Sequence, residues 1–217
     1  KWYGNCTFLV NYENKGKSIC DYIDNTPNVT VKSNGRVINR ERFFKESISW
    51  SKVSSGNIAL RYYPKGFIFD VAGCSIFAAK QDLYLYLGIL NSHVCRKILE
   101  ILSPTLNFEV GHINSLPIIK ALEKSVKYSN FNCVSKLILL SKIDWDSCET
   151  SWDFQIVPLL SQEYKSPKIK ESYAKLRLHW QEMTNEMQRL EAVSYTHLRA
   201  HETVLDLVCR LLLEKQK

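Results

Sequence analysis

The apolar positions of this chain concentrate between Tyr84 and Ile118. Leu87, Leu90, Val94, Ile98 and Ile101 recur at three and four residues, which predicts one buried helical face, with His93, Arg96, Lys97 and Glu100 elsewhere around the helix. Proline cannot donate the next helical hydrogen bond, so this helix is expected to stop at Ser103-Pro104. Asn107, Gly111 and Asn114 suit an irregular crossing, after which the apolar run ending at Leu116-Pro117 re-enters the core as a strand. Upstream, TFLVNY is β-prone and is ended by Asn14 and Gly16. IALRYYPKGFIFDVAGCSIF reads as two short strands joined at Pro64-Lys65-Gly66 as a hairpin, with Phe67, Phe69 and Val71 alternating onto one face. Downstream, residues 119–143 read as largely helical, with Leu122, Val126, Val134, Leu137 and Ile138 available for packing. From Ser172 to about Glu191 a long polar helix carries Leu176, Trp180, Met183, Met187 and Leu190 as a packing seam for another helix, with His179 at the surface beside it. The fold class that follows is α+β, a small mixed domain of short strands and a hairpin packed on helices, followed by a helical connector.

Charge adds one local feature to this outline. The formal net charge is +7, and most of the excess lies between Arg36 and Lys65. There Arg36, Arg40, Arg42, Lys45, Lys52, Arg61 and Lys65 face only Glu41 and Glu46. Phe43, Phe44, Trp50, Tyr62, Tyr63 and a Ser54-Ser55-Gly56 stretch are interleaved with them. Such a mixture suits duplex DNA, where cations neutralise phosphates, hydroxyls and amides fix register, and a few side chains read base edges. A solvated basic face has the same composition, and composition leaves both readings open.

Other candidate chemistry reduces to structure on inspection. Asp144, Asp146, Glu149 and Asp153 are read as helix N-caps and dipole partners, because no His or Cys joins them at a ligand spacing. Asp70 is read as a turn acid bonding backbone amides, and Trp2 and Tyr3 as aromatics packing the sheet edge. The AGCS stretch around Gly73 lacks the Gly-Lys-Ser/Thr of a phosphate loop. Seven dispersed cysteines without a CxxC pair argue against zinc and against a disulfide framework, and fit a reducing cytoplasm. No apolar run approaches the ~20 residues of a membrane span, so no membrane partner is expected.

Four separated stretches carry a resemblance: KWYGN, ISWSKVSSG followed by FIFDVAGCSIF, the run LGILNSHVCRKILEILSPTLNFEVGHINSLPI, and DWDSCETSWDF. Their order resembles the C-terminal specificity region of large adenine-specific DNA methyltransferases of bacterial phage defence, the BREX phage-growth-limitation type, and of related restriction-modification enzymes. The resemblance implies a target-recognition, DNA-binding domain over residues 1–118 and a helical connector over 119–192. With it, the basic segment becomes the expected DNA surface, with Arg36, Arg40, Arg42, Lys52 and Arg61 as candidate DNA contacts and Ser54, Ser55 and Asn57 as candidate backbone anchors. The expected partners are double-stranded DNA, an N-terminal methyltransferase domain of the parent chain, and other phage-defence proteins.

Such an enzyme transfers a methyl group from S-adenosyl-L-methionine to an extruded adenine held by an Asn/Asp-Pro-Pro-Tyr/Phe tetrapeptide. No Pro-Pro pair occurs in these 217 residues. Catalytic residues, a cofactor site and a metal site are therefore not expected within this fragment, and methyl transfer and S-adenosyl-L-methionine are expected of the parent enzyme. A stand-alone DNA-specificity subunit, a methyltransferase-nuclease fusion and a protein-interaction fragment are the alternatives. Residues 193–217, which include HLRAHET, resemble a translated sequencing-adapter tail and are expected to be non-native. His197, His201 and Glu202 stand in the order His-x-x-x-His-Glu, which is not the zincin order.

Overall fold

A computed structural model describes residues 2–117 and 120–199, with side chains for 2–117 and 131–194. The α+β expectation holds. Three antiparallel strands, β1 (Ser47–Ser51), β2 (Arg61–Tyr63) and β3 (Gly73–Ile76), lie in the order β2-β1-β3. Ile48 pairs with Tyr62 on one side and Ile76 on the other, while Ser49 pairs with Arg61 and Ser75. Strand alternation therefore gives an apolar face carrying Ile48, Trp50 and Tyr62 and a polar face carrying Ser49, Arg61 and Ser75.

The apolar face is covered by α3 (Lys80–Leu90), whose Leu83, Tyr84, Leu85, Leu87, Ile89 and Leu90 are all buried. A helix apolar on every side needs neighbours on every side. It packs against β1 and against α6 (Lys120–Asp146), and α6 in turn packs on α7 (Ile169–Arg199). Aromatic rings link these layers, with Tyr84 at 5.4 Å edge-on to Tyr62 and at 5.0 Å stacked on Phe131. The predicted seam on α7 is used within this chain: Leu176, Met183 and Leu190 are buried, Met187 is partly so, and Trp180 lies at the margin. Leu122 and Val126, the side chains of 195–199 and all residues from 200, with His201 and Glu202, lie outside the described set.

The N-terminal segment ties sheet to helices. Trp2 is fully buried, its carbonyl accepts from the Tyr62 amide at 2.9 Å, and its indole donates to Glu191 Oε1 at 2.7 Å. Packing at the sheet edge is thus what Trp2 does. Gly4 has φ +105° and sits against the Trp145 ring, followed by Asn5 at φ +63°. These two left-handed residues turn the chain away from the sheet, so the β-prone TFLVNY is an irregular segment with Phe8 91% exposed. Beyond it come α1 (Glu13–Asn25), which opens in a left-handed turn at Asn14, Lys15 and Gly16, and the short α2 (Ser33–Arg36).

Four further predictions are corrected. The expected single helix through the central stretch is two, α3 and α4 (His93–Leu102), broken at Asn91-Ser92. Ser92 caps α4 by accepting from the Cys95 amide at 3.2 Å, and Asn91 turns its amide onto the Leu60 backbone. The apolar re-entry is the short helix α5 (Val110–Asn114), which buries Ile113. β2 and β3 do not form a hairpin, because β1 lies between them; Phe67 and Phe69 instead join rings with Tyr63 and with Phe43 and Phe77. The acids of the DWDS stretch flank the C-terminus of α6, where Asp146 and Asp153 bind Lys142 at 2.5 and 2.6 Å, so they cap no helix N-terminus.

Candidate nucleic-acid interface

The predicted contact residues fall into three places around β1. The first is the approach to the strand. Arg36 ends α2 and is exposed. Arg40 is engaged internally: its Nε donates to the Val37 carbonyl at 2.9 Å and its terminal nitrogen lies 3.2 Å from Cys20 Sγ, which fastens the single 3-10 turn Arg40–Arg42 to α1. Arg42 lies over the Phe77 ring at 5.5 Å, with Glu41 3.9 Å away. This cation is half exposed, so the pair contributes little. Below it, Tyr12, Phe43, Phe44 and Phe69 form an edge-to-face cluster that holds the segment in place.

The second place is the loop leaving β1. Lys52 pairs with Glu109 at 3.1 Å, while its backbone bonds Ala72 and Phe108. Ser54 donates its amide to the Leu106 carbonyl at 2.9 Å, and its hydroxyl closes the turn onto the Gly56 carbonyl at 3.2 Å. Ser55 and Asn57 are exposed on that turn. Residues 106–108 run alongside, through the Val53–Asn107 bridge and a hydrogen bond from the Trp50 indole to the Phe108 carbonyl at 2.8 Å. The third place is the polar face of the sheet, where Arg61 stands opposite Ser49 and next to Tyr63. Burial raises the pKa of the nearby Cys6 thiol, with the Arg61 charge pulling against it. Asp70, predicted to be a turn acid, accepts from the Ala72 and Gly73 amides at 3.0 and 2.9 Å and is one.

Geometry thus divides the eight residues. Arg36, Arg40 and Arg42 lie together before β1; Lys52, Ser54, Ser55 and Asn57 lie together after it; Arg61 sits on β2 between the two sets. The strand between the two sets has five residues and spans roughly 17 Å. Arg36, Lys45, Arg61 and Lys65 have no carboxylate within ion-pair distance among the described residues.

Sequence reasoning did not single out a half-open cleft of about 190 Å³ beside the 54–57 turn, lined by Asn57, Arg96, Glu100, Thr105 and Phe108 among others. The available signal was weak: Arg96 is a polar residue off the apolar face of α4. Among the described residues no group of His, Cys, Asp and Glu could hold a metal ion, and no helix is long and apolar enough to cross a membrane.

Comparison with known proteins adds what this geometry lacks. The chain is similar to part of two adenine-specific methyltransferases. It is 38% identical over 166 residues to adenine-specific methyltransferase PglX of Lacticaseibacillus casei (strain Zhang), a match covering 74% of this chain and 13% of that protein. It is 34% identical over 179 residues to adenine-specific methyltransferase BrxX of Escherichia coli (strain HS), covering 80% of this chain and 13% of that protein. The matched segment therefore spans about an eighth of either relative's length. No protein-family model matches the chain.

Proposed function

We propose that this chain is the DNA target-recognition part of an S-adenosyl-L-methionine-dependent, adenine-specific DNA methyltransferase of a bacterial phage-defence system. The observation that carries this reading is the similarity to two adenine-specific methyltransferases from different organisms over three quarters or more of the chain. The geometry supports the division of labour. Basic and hydroxyl side chains at both ends of β1 and on the polar sheet face would engage one duplex, while the aromatic cluster and the α3–α6–α7 stack keep that surface rigid. Methyl transfer and cofactor binding are assigned to the parent enzyme's catalytic domain.

The test is duplex binding followed by fluorescence anisotropy across a salt series. With one phosphate neutralised by each of Arg36, Arg42 and Arg61, log K should fall against log salt with a slope of about −2.7, roughly a 40-fold loss between ~50 and ~200 mM salt. Replacing all three by serine should remove that slope. Duplex binding that is absent, or whose salt dependence survives the triple substitution, would overturn the assignment of this surface. A reading frame that continues upstream into an Asn/Asp-Pro-Pro-Tyr/Phe tetrapeptide would separate the methyltransferase from a stand-alone specificity subunit.

A further inference from the structure

The cleft beside the 54–57 turn has the lining of a base-reading site rather than a phosphate site. It is lined from α4 by Arg96 and Glu100, one turn apart, from the loop Gly56 to Ile58, and from the chain after α4 by Thr105 and Phe108. Its volume of about 190 Å³ is far above the ~10–15 Å³ that holds one water, so it has room for a polar group larger than solvent. Phosphate sites gather cations and amides and exclude carboxylates. Here Glu100 stands in the lining, held by Lys97 at 2.8 Å. A guanidinium, a carboxylate, an amide and a hydroxyl against apolar walls match the donor and acceptor edge of a nucleobase.

Arg96 is the distinctive member. Its Nε is shielded from solvent and meets no acceptor among the described residues, and its guanidinium forms no ion pair there. A buried N–H without an acceptor is unfavourable, and an arginine that serves only the fold normally spends its fork on a carbonyl or carboxylate. No acceptor among the described residues takes its side-chain donors, so they remain available to an incoming group. The commonest specific use of such a fork is bidentate donation to O6 and N7 of guanine. The cleft also adjoins the turn carrying Ser55 and Asn57, so a duplex contacting that turn would bring a base edge to it.

We infer that this cleft reads one guanine of the DNA target, with Arg96 donating to the base and Asn57 lying against it. This rests on the DNA-recognition reading above. The experiment is enrichment of a random-sequence duplex pool by the full chain and by Arg96→Gln and Asn57→Ala, read by sequencing. Thermal unfolding is followed in parallel. The wild type should enrich sites with a fixed guanine. Arg96→Gln should lose roughly tenfold or more of the discrimination at that one position while keeping its preferences elsewhere and its salt-dependent affinity. Asn57→Ala, a change on an exposed turn that leaves the core untouched, should relax the same position and keeps the test decisive should Arg96→Gln fail to fold. A guanine preference that survives in both variants overturns the inference and leaves the DNA-recognition reading standing. A wild type that binds no duplex overturns both.

Discussion

Asn91 is where the break between α3 and α4 becomes energetically necessary. Its side chain is 1% exposed, accepts from the Leu60 amide at 3.1 Å and donates to the Leu60 carbonyl at 2.9 Å. Leu60 is itself fully buried just before β2, so no solvent can replace those bonds. Asn91→Ala would leave a buried N–H and a buried C=O unsatisfied. Each such group costs about 1–3 kcal/mol, so the expected loss is roughly 3–4 kcal/mol for the pair, less than the summed maximum because the loop relaxes. At about 2–4 °C per kcal/mol for a chain of this size, Tm should fall by roughly 6–16 °C. Urea unfolding gives the free energy, and amide exchange at Leu60 tests the mechanism locally, because it should accelerate more than exchange in α7. Asn91→Asp adds a sign test. It keeps the acceptor for the Leu60 amide but sets a carboxylate against the Leu60 carbonyl, so the charged form is disfavoured and the new group's pKa is raised. A raised acid pKa in the folded state means that the penalty is present at neutral pH and is relieved as pH falls through it, when the protonated oxygen can donate to the carbonyl. An alanine variant less than ~1 kcal/mol below wild type would refute the claim that the Asn91 amide is what satisfies the buried Leu60 backbone.

Two other perturbations have defined outcomes. Gly4→Ala should destabilise the chain by about 2 kcal/mol or more, because φ is +105° and the added carbon would lie 2.9 Å from Trp145 Cε3; an unchanged urea midpoint would refute it. Asp24 accepts from the Ser33 amide at 2.7 Å and its hydroxyl at 2.8 Å, and these bonds, the amide first, hold the carboxyl below its usual range. A depressed carboxylate pKa stabilises the fold above the unfolded-state value, and that contribution disappears as pH falls through the folded-state value. The stability gap between wild type and Asp24→Asn should therefore be open at neutral pH and closed in strong acid, and a gap independent of pH would refute it.

What the sequence made legible was periodicity that one element satisfies alone. The α7 stripe of Leu176, Met183 and Leu190 reads directly as a seam and is buried as one. Leu87 and Leu90 of the predicted central face are likewise buried in α3, but Ile101, expected on the same face, is 72% exposed in α4, because the break at Asn91-Ser92 turns the second helix out of the first one's phase. What it concealed depended on partners distant in the chain. Asn91 and Ser92 interrupt an otherwise continuous apolar pattern by hydrogen bonds, one of them to a residue 31 positions away, so the hydrophobic period alone runs straight through the break. The hairpin is absent for a related reason: Pro64-Lys65-Gly66 has the turn chemistry, yet Ser47–Ser51 takes the position between the two strands because it pairs with both. TFLVNY has strand propensity and no strand because the two left-handed residues before it direct the chain off the sheet edge.

The candidate site was legible as composition and illegible as geometry. Seven cations against two acids marked the 36–65 segment, but the structure gives those cations different employment. Arg40 is bound to Val37 and Cys20 and Lys52 to Glu109, which leaves Arg36, Arg42 and Arg61 as the predicted contact cations free to meet phosphate, with Lys45 and Lys65 beside them. Electrostatic attraction needs only such cations at a surface, and charge counting finds them. Base discrimination needs donors and acceptors held in a fixed arrangement, which is a property of how α4 and a loop some 40 residues upstream come together. On the proposed reading, affinity and specificity are encoded in different parts of this chain: the first in the residues before and across β1, the second in the cleft that Arg96 lines with the turn after it. That separation predicts that neutralising Arg36, Arg42 and Arg61 weakens binding to every duplex alike, whereas altering Arg96 changes which duplex is chosen.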